Sequence, residues 1–218
     1  MDLCQTPDSN RPQEAPLVRA RRRFCRARVS RLLTSLGLVL LISASVSTST
    51  AQAVEIEDID FPAAIPAGES EINLFGLGLL RYRVVFRGYV GGLYLPAEAK
   101  KGAAFEDVPK ALELYYFWDI PGRFFGEAAD DLLAKNLPTE RVTALRSRLD
   151  RLNGLYLDVE EGDRYRLTYV PGEGTHLLLN GKELGVIPGA DFARDYFSIW
   201  LGDKPLSEPF RDQIFKGL

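Results

Sequence analysis

Asn180-Gly181 interrupts the stretch THLLLNGKELGVI at 175–187, and no other pair of residues limits the fold as tightly. Asn and Gly tolerate the positive φ that both central positions of a type I′ turn require, so the two flanking runs become an antiparallel hairpin. RYRLTYV at 164–170 is a further strand, ending at the turn PGEG. GADFARDYFSIWLG at 189–202 then switches period: Phe192, Tyr196, Ile199 and Trp200 fall at i, i+4, i+7 and i+8, one face of a helix, and Gly202 suits its C-terminal end.

Upstream the same rules give strands first and helices second. Residues 54–70 mix acids, prolines and alanines and read as an extended lead-in. A long strand or bent strand pair spans roughly 71–95, where Gly88, Gly91 and Gly92 mark a bulge or a close backbone approach. KALELYYFWDI at 110–120 is another strand. Helical spacing follows at 121–136, with Phe124, Phe125, Ala128, Leu132 and Leu133 on one side. A second helix carries the stripe Val142, Leu145, Leu149 and Leu152 and stops at Asn153-Gly154. Strands, two helices, strands and a last helix do not alternate as a parallel βαβ fold does. The order predicts an α+β domain in which an antiparallel sheet carries helices on one face.

The first 53 residues stand apart. Residues 1–31 hold eight arginines against three acids, then come LLTSLGLVLLISASV at 32–46 and a small-residue end at Ala53. That is the pattern of a secretory signal peptide cleaved after Ala53, leaving 54–218 as one domain. The apolar run is too short and too rich in serine for a membrane span, so no stable insertion is expected after cleavage. Of the chain's 27 Lys and Arg and 30 Asp and Glu, eight and three precede residue 54, which leaves 19 against 27, a net charge of −8. Such a surface does not suit nucleic acid. Cys4 and Cys25 both lie in the leader, so the domain has no thiol chemistry and one histidine, His176.

Catalytic motifs are missing from the sequence. His176 follows a Gly-rich turn on a short strand with no G-x-S-x-G element, which reads as a strand-edge histidine rather than a triad member. Zinc draws on His and Cys, and DVEEGD at 158–163 lacks the spacing of a calcium loop, so no metal is expected. GLGLL and GEGTHL lack the helix that a phosphate-cradling loop precedes, so no nucleotide cofactor is expected either. What remains is RYRVVFR at 81–87. Ideal alternation puts Arg81, Arg83, Arg87 and Tyr89 on one face, most simply a solvated one. A bend after GLG would instead turn Arg81 into the layer between sheet and helices.

Several blocks, in order, resemble the chalcone isomerase-like family, especially its exported bacterial branch. They are the Gly-x-Gly-then-Arg segment entering RYRVVFRGYVGGLYLP, then LELYYFWDIPGRFFGEAADDLLAKN, then GDRYRLTYVPGEGTHLLLNGKELGVIPGADFARDYFSIWLGDKPL. The resemblance covers essentially all of 55–218. It implies an open-faced β-sandwich of the chalcone isomerase type, a large antiparallel sheet with a helical layer on one face and a ligand cleft between them. It also implies a periplasmic location.

The resemblance places Arg81 at the family's ligand arginine, which contacts the substrate oxygen in the plant enzymes and a carboxylate in the fatty-acid-binding relatives. Other family positions differ. The strand threonine falls near Tyr89, the catalytic tyrosine near Phe125 or Phe124, the asparagine near Asp131 or Leu132, and the last-helix threonine near Ile199. Losing the phenol and the amide removes the positioned polar groups that acid–base chemistry needs. The resemblance therefore implies a non-catalytic binder of a fatty acid or similar small amphiphile, with Arg81, Tyr89, Phe124, Phe125, Ile199 and Trp200 as its ligand-binding residues. Two alternatives stand beside it. One is an isomerase or intramolecular lyase acting on a chalcone-like or enone substrate, using Arg81 and one of Tyr82, Tyr89, Tyr115 or Tyr116. The other is an envelope interaction protein in which Arg81 pairs with an acid and no cavity adjoins it.

Overall fold

The computed structural model describes residues 53–82 and 86–218. The expected leader lies outside the described residues as far as Gln52, as do its cleavage signals and Arg83. The lead-in expected to be merely extended is built of strands. β1 (Ala53–Ile56) and β2 (Ile59–Pro62) form a two-stranded antiparallel hairpin, and β3 (Ala64–Ala67) joins the main sheet. The turn between β1 and β2 is Glu57-Asp58, both at positive φ (52° and 64°).

Then follow β4 (Ser70–Tyr82), β5 (Phe86–Leu95) and β6 (Lys110–Tyr116), and the helices α1 (Arg123–Asn136) and α2 (Thr139–Asn153). β7 (Arg164–Val170), β8 (Gly174–Leu179) and β9 (Lys182–Ile187) complete the strands, before α3 (Ala190–Leu201) and α4 (Glu208–Lys216). The seven-stranded sheet runs β3-β4-β5-β6-β7-β8-β9 with every neighbouring pair antiparallel. Chain order equals spatial order, so loop closure stays local, and α1 and α2 are inserted between β6 and β7 without parting them. Asn180 and Gly181 sit at φ 51° and 79° in the two-residue turn joining β8 to β9, as their chemistry requires.

Strand alternation gives the sheet two apolar faces. Leu93, Leu112, Leu114, Leu167 and Leu177 turn toward the helices, and meet Leu133, Leu149 and Phe197. Leu74, Leu79, Val90, Tyr94 and Ala111 turn the other way, and Phe61 of β2 with its neighbours covers them. α4 lies directly on β4 and β5. A Cβ on Gly76 would stand 2.1 Å from the Ile214 carbonyl oxygen, one on Gly78 2.8 Å from that of Phe210, and one on Gly91 2.7 Å from the Phe210 ring. The glycines expected to mark a close approach therefore include Gly91, and Gly76 and Gly78 belong with it. Ser207 caps α4 by accepting from the Phe210 N–H.

Candidate functional site

A cavity of about 240 Å³ opens between the sheet and the helices α1 and α3. Its floor comes from alternate strand residues: Tyr89 of β5, Leu112, Leu114 and Tyr116 of β6, Tyr165 and Leu167 of β7, and Leu177 of β8. α1 contributes Phe124, Phe125, Ala128, Ala129 and Leu132, and α3 contributes Tyr196, Ile199 and Trp200. Each set follows from its own period, two along the strands and 3.6 along the helices. Phe124 and Leu206 line the cavity and are also 45 % exposed, which places the mouth beside them.

Aromatic rings dominate the wall. Phe125 stands at the centre of a cluster, with ring centroids 5.0 Å from Tyr156, 5.3 Å from Tyr165 and 5.6 Å from Tyr116. Tyr116 in turn meets Tyr89 at 5.8 Å, edge to face. The polar tips of these rings are largely spoken for by one another and by backbone. The Tyr156 and Tyr196 hydroxyls are 2.7 Å apart, and Tyr165 Oη accepts from the Leu157 N–H and donates to the Leu157 carbonyl. In the Tyr156–Tyr196 pair one hydroxyl donates, which leaves the accepting hydroxyl's own proton for another partner. The Tyr89 hydroxyl is buried and no partner reaches it with hydrogen-bonding geometry, although the Trp200 indole lies near enough to favour its anionic form slightly.

Burial raises the phenols of Tyr89, Tyr116, Tyr156, Tyr165 and Tyr196 above the ordinary tyrosine range. They are neutral hydrogen-bonding groups at physiological pH. Among the described residues no charged side chain lines the cavity. Among the described residues no group of three or more His, Cys, Asp and Glu could hold a metal ion, and no helix is long and apolar enough to cross a membrane.

The structure brings Tyr89, Phe124, Phe125, Ile199 and Trp200 around this one cavity, and it places Arg81 elsewhere. β4 alternates without a bend through Leu77, Leu79 and Arg81, so Arg81 emerges on the face opposite the helices. Its guanidinium is 3.1 Å from Glu57 in the β1–β2 turn, with a side chain 46 % exposed. Arg87 reaches the other oxygen of the same carboxylate at 3.6 Å and stacks 4.4 Å over Phe117. The expectation that Arg81 turns into the cleft is thereby corrected, and so is the sharing of one face by Arg81 and Tyr89. The reason is a register shift in the β4–β5 pairing: Leu80 pairs with Tyr89 but Arg81 with Arg87, so Gly88 is the extra residue. A one-residue slip changes the face on which every later side chain lands.

Of the tyrosines weighed for catalysis, Tyr116 and Tyr89 line the cavity, and Tyr115 packs on the opposite face. The side chain of Tyr82 lies outside the described set. Asp131 is exposed, whereas Leu132 reaches the cavity. His176 sits on β8, paired with β7 on one side and β9 on the other rather than on an edge strand as expected, and its ring lies 2.7 Å from Glu183. Tyr156, Tyr165 and Tyr196 were missed as site residues. Tyr165 and Tyr196 were visible as members of a strand and of a helix stripe, but Tyr156 lies in the loop after α2, where no periodicity exists to find it.

A model of the chalcone isomerase-like family matches residues 53–215. The crystal structure of a fatty-acid binding protein from Arabidopsis thaliana superposes with a TM-score of 0.58 at 17 % identity, covering 75 % of this chain and 96 % of that one. At that identity the likeness establishes the fold. No curated protein sequence matches.

Proposed function

From the premise that the chain belongs to the chalcone isomerase-like family, we propose that it is a binding protein for a small apolar or amphiphilic molecule held between sheet and helices. The observation that carries this is the wall itself: a cavity open at one mouth and lined, among the described residues, by aromatic and aliphatic side chains with neutral phenols and no charge. Such a lining recognises an apolar body through burial, each methylene contributing roughly 0.8 kcal/mol. It supplies little for acid–base chemistry. The phenols are held protonated, and the arginine that would polarise a carbonyl lies across the sheet, paired with Glu57. The fold shared with the Arabidopsis fatty-acid binding protein supports a fatty acid as the ligand class. Nor does the pairing of Arg81 argue for a ligand-free assembly protein, because the cavity does not depend on it.

The basic, then apolar, then small-residue leader supports export to a bacterial periplasm, where a carrier for a sparingly soluble amphiphile has a use. One experiment addresses both parts. The full chain is expressed in a bacterial host, recovered from the periplasmic fraction, delipidated and incubated with a mixture of fatty acids and their methyl esters. Native mass spectrometry should show an N-terminus at Val54 and one retained ligand per chain. Ala128→Trp, at an exposed helix position beside the mouth, should lose the ligand while keeping the circular dichroism of the parent. A protein that retains neither acid nor ester, or that turns over enone substrates steadily, would overturn the reading.

A further inference from the structure

A carboxylate cannot follow its own apolar chain into this cavity. A buried charge without a partner is costly, and among the described residues the lining offers no cation. If the ligand is an acid, its head must stay where the cavity meets water. That place is marked by Phe124, which both lines the cavity and is 45 % exposed. The guanidinium of Arg123, the first residue of α1, stacks over the Phe124 ring at 4.5 Å from its centroid.

Among the described residues every other arginine of the domain pairs with a carboxylate except Arg151, which lies on α2 outside the cavity lining. Arg81 and Arg87 hold Glu57, Arg164 and Arg166 hold Glu113, Arg141 and Arg148 hold Asp191, and Arg146 holds Asp130 and Asp150. Arg123 forms no ion pair with a carboxylate among the described residues, although Glu127 stands one turn further along α1. Stacking on a ring restrains the guanidinium in one orientation while its N–H edge stays available for a two-pronged contact with a carboxylate. We propose that Arg123 is the anion-binding residue of this cavity, and that it holds an unbranched monocarboxylic acid tail-first, with the head at the mouth beside Phe124. The proposal rests on the binding function above and assigns its polar contact to Arg123 on the first helix instead of Arg81 on the strand.

Decanoic acid and methyl decanoate distinguish the head from the tail. Both are titrated calorimetrically into the delipidated protein, into Arg123→Gln and Arg123→Glu, and into Arg81→Gln as a control on the far face. An exposed ion pair of this kind corresponds to a two- to fivefold change in affinity, so decanoate should bind about two- to fivefold more weakly to Arg123→Gln. It should bind more weakly still to Arg123→Glu. The difference should vanish near 1 M salt, where the Debye length is about 3 Å. The ester should bind all four proteins alike at either salt concentration. Acid affinity unchanged by both Arg123 substitutions, or reduced equally by Arg81→Gln, overturns the assignment while ester binding keeps the cavity reading intact. If neither compound binds the parent protein, the cavity reading fails, and this assignment fails with it.

Discussion

The two faces of the sheet are both apolar and opposite in their treatment of charge. On the face toward β1 and β2, Glu113 is buried at 7 % exposure between Arg164 at 2.7 Å and Arg166 at 3.5 Å, and Arg164 also donates to the Asp60 carbonyl and stacks over Phe61. Arg81, Arg87 and Glu57 form a second, wetter cluster on that side. On the face toward α1 and α3 the same strands present Leu112, Leu114, Tyr165 and Leu167 to an uncharged cavity. One strand can serve both because successive side chains point to opposite sides, so Glu113 lies between two cavity leucines in sequence and a sheet's thickness from the cavity in space. Segregating the ion pairs keeps guanidinium groups away from the cavity without removing them from the strands. It leaves the strand side of the cavity apolar and aromatic.

Three perturbations test that division, and the largest acts on the helix side. Gly76→Ala drives a methyl group to 2.1 Å from a backbone carbonyl of α4, which cannot rotate away as a side chain can. Gly92→Ala, on the other face, first meets the Phe61, Leu74 and Leu77 side chains rather than backbone, the nearest atom at 2.9 Å. Urea unfolding should show Gly76→Ala destabilised by about 3 kcal/mol or more and Gly92→Ala by clearly less, since overpacking against a rigid neighbour costs most. Equal losses would mean that the two faces yield alike.

Next comes the exception to the rule. Lys110 of β6 lies on the helix side, fully buried, remote from the cavity lining. Its ammonium donates to the Glu106 carbonyl and stands 4.9 Å over the Tyr169 ring. Burial lowers its pKa to about 8, with Asp107 and Glu106 opposing that shift. Between pH 8 and the unfolded value of 10.5 the unfolded chain binds the extra proton, so stability must rise with pH across that window, by roughly 3 kcal/mol in full. The buried phenols act in the opposite sense: their folded pKa values are raised, so the stability they contribute is lost as pH climbs above the unfolded tyrosine value, near 10. Denaturation followed from pH 7 to 11 should therefore rise from about 8 and turn over near 10. Lys110→Met should abolish the rise and leave the turnover. A flat profile in the parent would show that water reaches this ammonium.

How far the sequence reaches can be judged residue by residue. The Asn180-Gly181 hairpin, the stripes of α1, α2 and α3, and the antiparallel order followed from local chemistry that each segment carries by itself. The β1–β2 hairpin did not, because its turn is Glu57-Asp58 rather than a glycine pair and its strands are interrupted by prolines and acids. Phe124, Phe125, Ile199 and Trp200 could be named because helical periodicity and the family pattern put them on inward faces. Tyr156 could not, since only the fold carries the loop after α2 against Phe125. The face of Arg81 was the hardest to read. Alternation was correct on β4 and correct again on β5 beyond Gly88, and the single extra residue between them is a property of the pairing, which no strand shows alone.

Arg81 consequently gives the smallest effect and the sharpest test of the division. The resemblance to the family assigns it the ligand's polar group; the geometry assigns it a half-exposed ion pair with Glu57 on the opposite face. A pair so exposed contributes between about 0 and 1 kcal/mol, and Arg87 remains beside the same carboxylate when Arg81 is removed. Arg81→Ala should therefore lower the unfolding free energy in urea by less than about 0.5 kcal/mol and leave ligand retention unchanged. A cavity arginine would behave otherwise: its loss would release the acid selectively and leave the methyl ester bound. If Arg81→Ala releases acid in that selective way, β4 bends in solution as the Gly-x-Gly segment first suggested, and the charge division between the faces does not hold at its edge.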